Sequence, residues 1–321
     1  MISEVSPAPA SVTADTIGSY RHEAFLYSGV AEFLTGALTF IRHAVSASDP
    51  ILVVVSGSKI ELLRAELRAD ARSVNFADMA EIGDNPARIL ATWLAFVDAQ
   101  VGARQLWGIG EPVYPGRSPT ELAECQLHEA LLNVAFDASV PFWLLCPYDL
   151  EALAADVIGE AHRTHPFVAH GDDRRTCPSF RPVDVAAPFA RPLPARPADA
   201  AGIGIRAGEL RAVRTFVADH AGRAGLDRQS ADAMVLAVGE VATNSLRHGG
   251  GEGEVHAWRD GQSLVFEVSD GGHLTAPLAG RIRPDRVSGS GGGLFLVNQL
   301  CDLVQIHSSP QGTAIRVHRD L

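Results

Sequence analysis

Glu240, Asn244 and His248 stand four residues apart in a segment, 227–248, whose apolar positions repeat at helical spacing. On a helix that spacing puts all three on one stripe. A carboxylate one turn from a carboxamide suits two tasks. The amide oxygen can ligate Mg²⁺, which takes hard oxygen donors. The carboxylate can orient or deprotonate a hydroxyl or a water. An ordinary solvated helix face would carry the same three residues, so the triplet alone leaves the choice open. Downstream, Asp270-Gly271-Gly272 closes an apolar run. An aspartate there can accept from an exocyclic amino group such as that of adenine, and the glycines let backbone approach a flat base. A plain turn has the same composition. Gly289-Ser290-Gly291-Gly292-Gly293-Leu294 leads into another helix. Such an entry offers N–H groups and a positive dipole end to phosphate, and a flexible linker is the bland counterpart. Gly312-Thr313 opens the last strand, where a hydroxyl can reach the base.

The N-terminal half holds other reactive types. Glu121, Glu124, Cys125, His128 and Glu129 fall at helical spacing in 118–136, and Cys146-Pro147-Tyr148-Asp149 ends an apolar run. In α/β sheets that end is where ligands bind. His162 and His165 follow. Cysteine and histidine are zinc-ligating types. With no CxxC or HxxxH pair present, the pattern favours buried thiols and hydrogen-bonded histidines. Gly57-Ser58-Lys59 lies between a strand and a helix as in a phosphate loop, but Ile60 stands where that loop needs a hydroxyl.

The elements that must position these residues change character along the chain. Short apolar runs at 51–56, 73–77, 105–110 and 141–147 alternate with helical patterns at 30–45, 58–69, 118–136 and 149–163. An alternating pattern also begins near His22. This order predicts a mostly parallel α/β sheet. Six prolines within 177–200 cannot sustain a helix or a central strand and predict a semi-rigid linker. Two helices (207–224, 227–248), a hairpin (254–260, 263–270), a short helix and two closing strands follow. That order predicts α+β, with helices on one face of a sheet. The expected organisation is a disordered N-terminus (1–18), an α/β domain (19–171), a linker (172–200) and a second domain (201–321).

The 321 residues suffice for two cores. Charge sits unevenly: residues 1–200 hold 15 basic and 25 acidic side chains, and 201–321 hold 12 and 13. A formal net charge of −11 argues against direct nucleic-acid binding, which wants a basic face. No apolar run approaches the length of a membrane span. The start of the chain has no basic or apolar leader region. Four cysteines make no disulfide framework. A reduced, cytoplasmic protein is expected.

Taken in order, Glu240-x-x-x-Asn244-x-x-x-His248, the hairpin, Asp270-x-Gly272, the glycine-rich helix entry and Gly312-Thr313 resemble the ATP-binding fold of gyrase, Hsp90, histidine kinases and MutL. Residues 200–321 carry the likeness. Because no helix pair bears a phosphoacceptor histidine, the domain is most similar to the RsbW-type anti-sigma-factor serine kinases. The resemblance implies a two-layer, Bergerat-type domain that binds ATP with Mg²⁺. Asn244 would hold the metal and Glu240 would be the general base. His248 would also face the nucleotide, and Asp270 and Thr313 would contact adenine. Gly272, Gly291, Gly292, Gly293 and Leu294 would shape the nucleotide loops. The implied partners are a sigma factor and an anti-sigma-factor antagonist phosphorylated on serine or threonine, and a homodimer is compatible with the family. Leu274 departs from the pattern, standing where the first glycine box continues with glycine. The alternative is an ATP-binding interaction module without phosphoryl transfer. A histidine kinase is a weaker third reading.

Residues 20–170 resemble the MEDS family of sensory domains. The landmarks are His22 with Tyr27, Asn85-Pro86-Ala87-Arg88, Gly110-Glu111-Pro112, Gly116-Arg117-Ser118, His128-Glu129-Ala130-Leu131-Leu132-Asn133 and Cys146-Pro147-Tyr148-Asp149. The likeness implies a RecA-like core that senses a small molecule not yet defined. The signal pocket is expected near Glu111, His128, Tyr148 and His165.

Overall fold

The computed structural model describes residues 18–284 and 292–321. In chain order the elements begin with β1 (Arg21–Tyr27), α1 (Gly29–Ala47), β2 (Ile51–Val55), α2 (Gly57–Leu67), β3 (Asn75–Asp78) and α3 (Met79–Ile82). There follow α4 (Ile89–Asp98), β4 (Leu106–Gly110), α5 (Pro119–Ala135), β5 (Phe142–Asp149), α6 (Ala155–Thr164), β6 (Phe167–His170) and β7 (Asp173–Thr176). The remainder is β8 (Ala201–Arg206), α7 (Leu210–Ala224), α8 (Arg228–His248), β9 (Glu252–Asp260), β10 (Ser263–Asp270), α9 (Gly292–Leu300), β11 (Leu303–Ser309) and β12 (Gly312–Asp320).

The chain forms two compact units. One contains the described residues up to Met79, with Val97–Gly116 and Phe136–Pro182. The other contains Ala80–Phe96, Arg117–Ala135 and Val183–Leu321.

The first unit is built on a seven-stranded sheet of order β3-β2-β4-β5-β1-β6-β7. Its pairs are parallel except β6 with β7. All seven residues of β1 are buried, because it lies between β5 and β6 and both its faces are covered. Phe25, Tyr27, Phe33, Ile41, Val53, Val55 and Leu63 form the core between one face of the sheet and helices α1 and α2. Within the sheet, Glu23 is fully buried. It accepts from Arg21, from Arg174 Nη1 at 2.6 Å and from Trp143 Nε1 at 2.8 Å. A carboxylate so enclosed is stable only with such charged donors.

The second unit is built on an antiparallel sheet of order β11-β12-β10-β9-β8. Met234, Val238, Val241 and Ala242 on α8 pack with Phe266, Val268 and Ile315 of the sheet and Val213 and Val217 of α7. Each large apolar side chain buried this way contributes about 1.5–3 kcal/mol. Asp227 caps α8, accepting from the Ser230 N–H at 2.7 Å. Residues 177–200 form no helix or strand. The carbonyls of Phe189, Arg191 and Pro194 in that stretch are bonded by the Ser308 N–H, the His307 ring and Arg316.

Candidate functional site

The second unit holds a cavity of about 680 Å³. Its lining includes Glu240, Asn244 and His248 from α8, Asp270 and Gly272 after β10, Gly292, Gly293 and Leu294 from the first turn of α9, and Thr313 from β12. Sequence spacing singled out these residues, and one enclosure brings them together. Gly291 lies outside the described residues. Such a volume is within the range of small-molecule sites.

One end of the cavity is ionic. α8 buries its apolar face on the sheet and leaves Glu240 and Asn244 half-buried on the flank. A Cβ placed on Gly293 would lie 3.2 Å from Glu240 Oε2 and 3.2 Å from Asn244 Nδ2. Both side chains therefore converge over the first turn of α9. There the free backbone N–H groups carry a partial positive charge. A carboxylate, a carboxamide and a helix N-terminus within such reach fit a magnesium–phosphate group: oxygen for the cation, N–H groups for the anion. His248 sits at the exposed C-terminal end of α8, at the rim.

A second part of the lining is a hydrogen-bonded corner. Asp270 lies opposite Thr313 in the β10–β12 register, and Ser308 lies opposite Thr313 in the β11–β12 register. The Leu274 N–H donates to Ser308 Oγ at 2.7 Å, Ser308 Oγ lies 2.7 Å from Thr313 Oγ1, and Thr313 Oγ1 donates to the Gly272 carbonyl at 2.9 Å. With Ser308 donating to Thr313, every hydroxyl hydrogen in this relay is used. Asp270 accepts from the Gly272 N–H at 2.8 Å through Oδ1, which leaves Oδ2 as an acceptor for an amino group. Gly249 backs this corner: a Cβ there would lie 2.3 Å from Asp270 Cγ, so no side chain fits.

Ser308 was not signalled by the sequence, since a serine in an ordinary strand carries no pattern. Leu274, the departure from the glycine box, is fixed by Ser308 through its own N–H and lines the cavity. The C-terminal end of α9 is also held. Arg88 donates to the carbonyls of Asn298 and Cys301, both at 2.7 Å, and Asn85 Nδ2 donates to the same two at 3.1 and 3.3 Å. In the loop before α9, Asn298 Nδ2 donates to the Gly280 carbonyl, and Arg281 pairs with Glu124 of α5 at 2.9 Å. Burial pushes the Glu124 carboxyl above the usual carboxylate range, and Arg281 opposes that rise.

The expected sensory residues fall in several places. Glu111 follows β4 in the first unit and accepts from Tyr27 at 3.0 Å and from Lys59, the lysine of the phosphate-loop-like Gly57-Ser58-Lys59. Burial raises the Glu111 pKa, against the pull of Lys59. Tyr148 and His165 meet edge-on, their ring centroids 5.5 Å apart. His128 is buried on α5, in the second unit. His162 lies beside Cys177, with 3.5 Å between ring nitrogen and sulfur.

Residues 21–166 match the family model MEDS, the methanogen/methylotroph, DcmR sensory domain. Residues 205–319 match the histidine kinase-like ATPase domain. No curated protein matches. Among solved structures, the RsbU and RsbW domains of Rv1364c from Mycobacterium tuberculosis are similar at 17% identity, with a TM-score of 0.29, over 64% of this chain and 49% of that one. The chain thus spans about half the length of that structure. From the two family matches, the chain carries a MEDS sensory domain followed by a histidine kinase-like ATPase domain.

Proposed function

We propose that the C-terminal domain, of Bergerat type, binds ATP with Mg²⁺ and transfers phosphate to a serine or threonine of an anti-sigma-factor antagonist. A sigma factor is its second partner. The RecA-like MEDS segment controls it in response to a small molecule, in the cytoplasm. The observation that carries the reading is the single cavity lined by Glu240, Asn244, Asp270 and Thr313. Asp270 Oδ2 takes the amino group of the base, and the N-terminus of α9 takes phosphate oxygens. Asn244 holds the cation, whose charge neutralises the triphosphate when it is bound. Glu240 orients the incoming hydroxyl and accepts its proton, so the rate comes chiefly from positioning and charge. The sensory segment contributes through residues 80–96 and 117–135, which supply Asn85, Arg88 and Glu124 to the ATPase unit.

Calorimetry with Mg-ATP and transfer of labelled phosphate to antagonist proteins test this. Glu240→Gln is expected to keep nucleotide affinity and lose about 100-fold or more in transfer rate. Asn244→Ala is expected to lose binding in the presence of Mg²⁺. Leu274, in place of a glycine, favours the second reading, a nucleotide-gated interaction module. Tight Mg-ATP binding with no transfer to any antagonist would support it.

A further inference from the structure

We propose that His22, Cys146 and His165 of the first unit bind one zinc ion. His22 lies on β1 and Cys146 on the adjacent β5, two residues further along the register, so both project from the same face of the sheet. His165 follows α6 directly. All three are buried, none more than 2% exposed. Their ligand atoms lie within 4.8 Å of one another.

Three features distinguish this cluster from a set of ordinary core side chains. Cys146 Sγ is 3.4 Å from His22 Nε2, and the nitrogen–sulfur edge of a tetrahedral zinc site is about 3.5 Å. The His22 and His165 rings are in contact, with centroids 4.0 Å apart. The third is the tautomer of His165. Its Nδ1 lies 2.9 Å from the Ala161 carbonyl, which can only accept. Nδ1 therefore carries the hydrogen and Nε2 the lone pair. A backbone carbonyl that fixes the distal nitrogen in this way is the usual outer support of a metal-bound histidine. Two imidazoles and a thiol suit a borderline-soft divalent ion, and zinc above others of that class. Binding deprotonates Cys146 and releases that proton to solvent. An edge at the 4.8 Å limit must close by about 1.3 Å to reach the tetrahedral value on binding.

The test uses the full chain, stripped with chelator and then dialysed against zinc or cobalt. One equivalent of zinc by elemental analysis is expected. The cobalt-loaded chain is expected to show thiolate-to-cobalt charge-transfer absorption, absent in Cys146→Ser. Zinc affinity is expected to fall about 100-fold or more in Cys146→Ser and His165→Ala, and about 10-fold in Thr164→Val, whose hydroxyl lies 3.0 Å from His165 Nδ1. A folded wild-type chain that binds no zinc overturns the proposal. So does a cobalt spectrum without the thiolate band, which needs no variant to fold. Zinc held with unchanged affinity by a folded Cys146→Ser chain also overturns it.

Discussion

At Gly293 the demands of helix and ligand oppose each other. Alanine there would improve helix propensity by about 1 kcal/mol, while its Cβ would press on Glu240 and Asn244. Gly293→Ala is expected to leave the melting temperature unchanged or raise it, and to weaken Mg-ATP binding about tenfold or more, read by calorimetry beside thermal unfolding. Ser308→Ala strands the Leu274 N–H and removes the donor to Thr313. An unsatisfied buried group costs about 1–3 kcal/mol. A matching loss of nucleotide affinity, with selectivity for adenine over guanine reduced, is the expected readout. Asp270 and Thr313 were legible in the sequence because their spacing recurs in a known pattern. Ser308 was not, because its role depends on register with Thr313 across a hairpin. His318 is the residue for pH. Burial first, and then Arg316, pushes its pKa down to about 4, from about 6.5 in the unfolded chain. Between those values the unfolded chain takes up a proton that the folded chain refuses. Stability from this group is therefore intact above about pH 6.5 and lost as pH falls toward 4, by about 3 kcal/mol at most. Urea unfolding of wild type and His318→Gln across pH 4–7 checks it: the gap between the two should change within that window and be constant above it.

Helix α9 links these residues to the rest of the fold. Its first turn faces the cavity, and its last carbonyls are bonded by Arg88 and Asn85. A guanidinium at a helix C-terminus also meets the negative end of the dipole. Arg88→Ala is expected to destabilise by about 1–3 kcal/mol and to weaken Mg-ATP binding although its partners Asn298 and Cys301 do not line the cavity; denaturant unfolding and calorimetry separate the two effects. At this scale the long helices and the β9–β10 hairpin could be read from periodicity. The strands β6 and β7 could not, since four residues give too little alternation to register. Glycine-rich β8, with its Ala-Gly-Ile-Gly start, lacks the β-branched and aromatic enrichment that marks a strand. The predicted alternation near His22 is instead a strand buried on both faces.

At the scale of the molecule, stretches 80–96 and 117–135 lie within the MEDS match yet belong to the unit that contains the ATPase domain. A contiguous sequence match cannot show this, because segments far apart along the chain pack into one unit. A fragment of residues 201–321 would lack Asn85, Arg88 and the partner of Arg281. Cutting away one side of a buried ion pair alone costs about 3–5 kcal/mol. The fragment is expected to melt below the full chain and to bind Mg-ATP more weakly, measured by calorimetry on both. The polypeptide crosses between the units five times, at 79/80, 96/97, 116/117, 135/136 and 182/183. Recombination at any single breakpoint between residues 80 and 321 would therefore leave each descendant gene with only part of the second unit.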